Sequence, residues 1–503
     1  MTFALNRQLK PAWPPLAWLA KCVSGSPTAH LSHGSMVEVQ ESSFCEAVWD
    51  APFEGGGFDR TDIIFGSAGV AREGSFVFVS SGSTVDRLQS ISVNGVTWVS
   101  NSLPCLLSAV DGSVDVTYDN YYDDFESIIH GLNHYKRTLE TSVGRVRLTY
   151  FNNLKWDGHE LVELPKPAPA RDLGTFAEYR RFLESTIEKI AANASSAGRT
   201  FPYRLLATLS SGYDSPAVAV LARKAGLHEA ISFANSRGGY ADDGREIGKT
   251  LGINVTLISR DAWRAGALAE VPFIAADAKG EDIHFGGAAK ELAGCVLLTA
   301  FNGGRVWNRD PRPKDSDIVR GDQSGLALTD YRLSAGFVHV PVPFFGARHA
   351  QEIHAIGHHA EMAPFDIGGN YNRPIPRRII EEAGIPRGRF AVSKKAASML
   401  FFERESFLSP DSLRDFTDWL TRHSHEWSTR RKVPPFAAAS LFNMSKPLLA
   451  FASIGARCLI AVAPPTQKWK VQRLHGRLKE AQREEYLFRY VFPWAMEKAK
   501  SRY

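Results

Sequence analysis

Apolar positions along the chain follow three successive patterns. Up to about residue 165, short runs rich in β-branched and aromatic residues alternate with Gly, Ser, Asn and Asp turns. Asp62–Gly66, Ser75–Ser80, Ser90–Ser100 and Gly144–Phe151 predict strands, and Val93-Asn94-Gly95-Val96 predicts a hairpin. Asp123–Leu139 predicts a helix. From residue 172 to about 400 the pattern switches to strands alternating with helices. Phe176, Tyr179, Phe182, Leu183, Ile187 and Ile190 give Thr175–Ala194 helical spacing. Leu205–Leu209, Glu229–Asn235, Asn254–Ser259 and Cys295–Phe301 are apolar runs of strand length, with helices expected from Pro216 and over Asp242–Leu251. Such alternation predicts an α/β fold with a parallel, doubly wound sheet that binds ligands at the carboxyl ends of its strands. From about Phe407 onward, helices are expected over Asp411–Arg422, Phe436–Phe442 and Leu448–Val462, followed by a basic, aromatic tail from Trp469 to Arg502.

Proline-rich Pro165–Arg171 reads as the linker between the first two regions. The expected division is therefore a β-rich domain (1–165), an α/β domain (172–400) and a helical extension (401–503).

With 503 residues, 44% apolar and 22% charged, the composition is that of a globular protein with a sizeable core. A net charge of +5 is small for this length and does not call for a nucleic-acid partner. The five cysteines (Cys22, Cys45, Cys105, Cys295, Cys458) are scattered and form no Cys-x-x-Cys, which favours free thiols in a reducing compartment. The first 22 residues carry Pro11, Pro14 and Pro15 and lack a continuous apolar core, so no signal peptide is expected. Leu448–Ala463 is short for a membrane span and contains Arg457; it predicts a buried helix, with membrane-surface contact as the alternative. A cytoplasmic location without a transmembrane segment is expected.

Chemistry concentrates where Leu205–Leu209 turns through Ser210-Ser211-Gly212 onto the helix from Pro216, with Ser215 as candidate N-cap and Gly226 as the closing glycine. A strand that turns through small residues onto a helix N-terminus offers backbone N–H groups to an anion. Ser210-Ser211-Gly212-Tyr213-Asp214-Ser215 resembles the Ser-Gly-Gly-x-Asp-Ser pyrophosphate loop (PP-loop) of the ATP pyrophosphatase superfamily, most closely its asparagine synthetase branch. The resemblance implies ATP and Mg²⁺ as cofactors. Leu209, Ser210, Ser211, Gly212, Tyr213, Asp214 and Ser215 would hold the phosphates, Phe233 and Ala234 would flank the adenine, and Asp214 would hold the metal. Asp242 and Asp243 are expected to cap the next helix, with a ligand role as the alternative.

The segment Asn370–Ala397 resembles the asparagine synthetase stretch that delivers a lysine to the phosphates, which nominates Lys394 and Lys395 as catalytic. The family's second signature, Ser/Thr-Gly-Glu-Gly-x-Asp-Glu, falls on Thr299–Arg305, where Phe301, Gly304 and Arg305 replace its three carboxylates. Asp214 could hold the metal with a later carboxylate such as Asp310, Arg305 could replace part of the metal charge, or the site could bind nucleotide without turnover. Glutaminase members of the family expose a cysteine after Met removal; here Thr2 takes that place, so no glutamine hydrolysis is expected, from either an inactive glutaminase-like domain, the favoured reading, or an unrelated β module. His354 and His358 lie one helical turn apart but read as packing or surface residues rather than a zinc site.

The activity this implies is an ATP-dependent amide-forming ligase. It would adenylate a small-molecule carboxylate and pass the acyl group to an amine, to free ammonia or to ammonia from a separate supplying protein. The alternatives are a nucleotide-binding pseudoenzyme or scaffold, and a deazaguanine-synthase-like or tRNA-modifying ATP pyrophosphatase. The last group usually carries cysteine clusters that are absent here.

Overall fold

The computed structural model describes residues 3–309, 316–369, 371–391, 395–399 and 408–503. It is a mixed α/β protein with three sheets and a helical C-terminal region.

Two of the sheets, of seven and six strands, build the N-terminal region. Trp18, Leu31, Phe44, Phe76, Phe78, Leu88 and Trp156 from both sheets share one buried cluster, so the sheets pack face to face. The hairpin forms as expected: Asn94 and Gly95 both take positive φ between strands Arg87–Val93 and Val96–Ser100. Asp123–Leu139 is not one helix. A short helix, Tyr121–Glu126, runs into a tight turn over Ser127–His130, and Thr138–Thr141 is a strand paired with Gly144–Tyr150. Gly131 ends the turn at φ 102°, packed so closely on Asp317 that a Cβ would collide with it.

The third sheet is parallel throughout. Its strands are β1 (Arg204–Thr208), β2 (Glu229–Phe233), β3 (Asn254–Ile258), β4 (Cys295–Thr299) and β5 (Val338–Pro341), in the order 3-2-1-4-5. Alternate residues serve opposite faces. Leu206, Ile231 and Leu297 enter one buried cluster, whereas Ala207, Ala230, Val296 and Leu298 enter another. Helix α1 (Phe176–Ala194) opens with a capping box between Thr175 and Glu178 and buries Tyr179, Leu183, Ile187 and Ile190, the spacing read from sequence. The helix after β1, α2 (Asp214–Ala222), starts one residue ahead of Ser215. The Ser215 hydroxyl is used inside the loop and not as a cap, and Gly226 lies beyond the helix end. Asp242–Leu251 shortens to a helix from Arg245.

Pro165–Arg171 is strapped to the sandwich. Buried Lys166 donates to the Ser80 carbonyl (2.8 Å) and to Asn153 Oδ1 (2.7 Å), and Arg171 forks onto Asp62. Burial pulls Lys166 down to about 7, against the raising effect of Asp62. Between that value and about 10.5 the unfolded chain keeps a proton that the folded one has released, so stability rises with pH across this window. Urea midpoints taken from pH 6.5 to 9.5 should therefore rise more steeply for the native sequence than for Lys166→Met. Parallel profiles would refute the assignment.

Toward the C-terminus follow helices α3 (Pro374–Glu382), α4 (Pro410–Arg422), α5 (Pro435–Val462), α6 (Pro465–Arg483) and α7 (Val491–Lys500). Trp494 Nε1 donates to Asp415 on α4, and Trp419 Nε1 to Glu497 on α7, which locks α4 to α7. The two helices expected over Phe436–Phe442 and Leu448–Val462 are one continuous helix through Pro447. The expectation that Leu448–Ala463 is buried is overturned: only 11% of the most apolar 18-residue window of α5 is buried.

Candidate functional site

Beyond the C-terminal ends of β1, β2 and β4 opens a cavity of about 490 Å³. Leu209, Ser210, Gly212, Tyr213, Asp214, Ser215, Phe233 and Lys395 of the expected residues line it. Ser211 and Ala234 are not part of this lining. Arg305 is not part of it and instead lines a small neighbouring cavity with Val306 and Ile318. Lys394, Asp310 and Thr2 lie outside the described residues.

The loop is tied by its own side chains. Ser215 Oγ accepts from the Ser210 amide (3.0 Å) and lies 2.8 Å from Ser210 Oγ, which accepts from the Gly212 amide (3.2 Å). Buried Asp242 does not cap the following helix. Its Oδ1 accepts from both the amide (3.1 Å) and the hydroxyl (2.7 Å) of Ser211, whereas Asp243 accepts from the Arg245 amide (2.9 Å). Ser211, which stands where the family has glycine, thus couples the loop to Asp242. It also couples the loop to Lys395, whose Nζ donates to Ser211 Oγ (3.1 Å) and to the Ala241 carbonyl (2.6 Å). The Ala391 amide closes the same segment onto the Ser211 carbonyl (2.7 Å).

Arg373, at the N-terminus of α3, pairs with Asp214. Sequence reasoning missed it, although it lies inside the segment that nominated the lysines; no spacing singles it out. Gly304 explains its reach. A Cβ at that position would sit 2.9 Å from Arg373 Nη2, so the guanidinium occupies the room that a side chain at position 304 would need. Gly304 stands where the resemblance led to the expectation of an aspartate, and the Arg373 guanidinium occupies that space. Arg373 thus supplies a cation directly to Asp214.

The far wall is apolar and aromatic. Phe233 packs edge-on against His284 (4.5 Å between centroids) and Phe285 (5.2 Å). Burial drops His284 to about 3, leaving a neutral imidazole, and burial pushes Asp282 well above the usual carboxylate range. Asp282 accepts from the Gly325 amide (2.8 Å), and its second oxygen is buried without a hydrogen-bond partner. The residues fit a nucleotide: two cations and a small-residue loop on one side, rings on the other. Asp214 is engaged by a guanidinium, and among the described residues no group of three His, Cys, Asp or Glu could hold a metal. The rings of His354 and His358 lie 4.8 Å apart, tilted by 56°.

No family model matches the chain, and no curated protein matches it. Among solved structures the chain is similar to one described as a predicted subunit of tRNA methyltransferase from Methanocaldococcus jannaschii. That likeness has 16% identity, covers 38% of this chain and 94% of the other, and has a TM-score of 0.18. A likeness that small carries no functional argument.

Proposed function

We propose that the chain is an ATP-dependent amide-forming ligase of the asparagine synthetase kind, built on a doubly wound PP-loop domain and working in the cytoplasm. The observation that supports this reading is the convergence of two cations from one distant segment, Lys395 on Ser211 and Arg373 on Asp214, upon the strand–loop–helix turn. The triphosphate of ATP would lie along Ser210–Ser215, with its base against Phe233. A substrate carboxylate oxygen attacks the α-phosphorus, and the bond to the β-phosphate oxygen breaks. Lys395 and Arg373 take up the charge gathering on the departing pyrophosphate. An amine nitrogen then attacks the acyl carbon, the bond to AMP breaks, and the amine gives up a proton. The nitrogen would come from a substrate amine, free ammonia or a separate supplying protein.

Pyrophosphate release from ATP, followed over a panel of carboxylates with an amine present, tests this. Steady release that requires a carboxylate and is lost in Asp214→Asn is the expected result. A second reading, a nucleotide-binding pseudoenzyme, is favoured by the Asp214–Arg373 pair and by the missing carboxylates at 301, 304 and 305. ATP binding with no release over the whole panel would decide for it.

A further inference from the structure

The observations reach furthest on the hairpin of α5 and α6. Among the described residues α5 packs mainly against α6, through buried Ser453 and Ala456 and a contact between the Ser453 carbonyl and His475 Nδ1 (3.0 Å), with Phe442 also against Tyr486. Its opposite side carries Leu441, Met444, Leu448, Phe451, Leu459 and Val462, spaced three or four residues or two turns apart and therefore on one stripe. Met444, Leu448, Phe451 and Val462 are each exposed by 74–79%. At about 100° per residue, Lys446 and Arg457 fall on the far flank, away from this stripe. Exposed large apolar side chains in such a continuous row mark a surface that something covers.

Charge identifies the cover. The neighbouring α6 presents Lys468, Lys479 and Arg483 on one flank and Lys470 and Arg477 on the other, and Arg431 stands just ahead of α5. An apolar ridge bordered by cations matches the boundary of an anionic bilayer, with acyl chains meeting the ridge and headgroups meeting the lysines and arginines. By length and composition α5 is able to cross a membrane, but Lys446 and Arg457 interrupt its apolar run, which favours a helix lying in the plane. We infer that the α5–α6 hairpin docks the protein on anionic lipid membranes, with Leu448 and Phe451 inserted and the cations of α6 against the headgroups.

The test is co-sedimentation of the full-length protein with phosphatidylcholine vesicles, with or without phosphatidylglycerol. The native sequence should pellet with the anionic vesicles, and less so as salt is raised. Leu448→Asp with Phe451→Asp should lower the partition coefficient by about tenfold or more. Lys468→Glu with Lys479→Glu should remove the preference for phosphatidylglycerol. All four positions are exposed, so unchanged near-ultraviolet circular dichroism checks that the variants are folded. Absence of pelleting with anionic vesicles, or pelleting indifferent to the aspartates, overturns the inference. So does concentration-dependent self-association that the aspartates abolish in a protein that ignores vesicles, since the ridge would then join two copies of this chain.

Discussion

Arg332→Ala is expected to destabilise the protein by about 3–5 kcal/mol, the largest stability loss anticipated for a single change here. Arg332 is 1% exposed and lies between two buried carboxylates of the N-terminal sandwich. It forks onto Glu46 (2.5 and 3.1 Å) and reaches Asp86 (3.0 Å). Glu46 also accepts from the Ser67 hydroxyl (2.5 Å) and from Asn101 Nδ2 (3.2 Å). Removing the guanidinium, which reaches in from the helix Leu328–Ala335, leaves two desolvated carboxyls of the sandwich near each other without their cation. Burial already pushes Glu46 upward, and Arg332 is the main influence pulling it back. Without Arg332 the folded-state value climbs further, so the folded form holds a proton that the unfolded form has released. Stability then falls as pH rises, and the deficit of the variant should be larger at pH 8 than at pH 5.5. Guanidinium denaturation followed by tryptophan fluorescence at both values checks this. A deficit below about 1 kcal/mol, or one that grows toward acid, would contradict the network as described. Combining Glu46→Gln with Arg332→Met should recover part of the loss, because the buried charge goes with its partner.

What the sequence revealed depended on how local the cause was. The loop, the strands β1 to β4 and α1 were legible because periodicity and turn residues specify them within twenty residues or so. Strand β5 escaped notice: Val338–Pro341 is a four-residue run ending in proline, and it becomes a strand by pairing with β4. Asp123–Leu139 was misread as a helix because Gly131 breaks it through a contact with Asp317, far along the chain. In the site, Asp214 and Lys395 could be read from motifs. Arg373 could not, since its position is set by the absence of a side chain at Gly304 and by a partner 159 residues away. The exposure of α5 was likewise hidden. Its composition is that of a core helix, and only the fold shows that little packs on it besides α6.

The contact between Arg373 and Asp214 also sets the sharpest expectation for the site. If Lys395 and Arg373 hold the outer phosphates, each should contribute a charge-assisted contact of about 1.5–3 kcal/mol, or roughly tenfold to a hundredfold in affinity. Titration calorimetry should then show Lys395→Met and Arg373→Met weakening ATP by that factor. AMP, which lacks the β- and γ-phosphates, should lose far less. The two single losses should not add fully, because Ser211 and Asp214 belong to one loop and each cation restrains it. Arg373→Met has a second consequence. It frees an Asp214 oxygen from its guanidinium, so the nucleotide affinity of the variant should gain a dependence on added magnesium greater than that of the native sequence. Equal losses for ATP and AMP would mean that the cations shape the cavity without touching phosphate. An Arg373→Met protein that binds ATP as tightly as the native one, with or without magnesium, would remove the guanidinium from the phosphate site altogether.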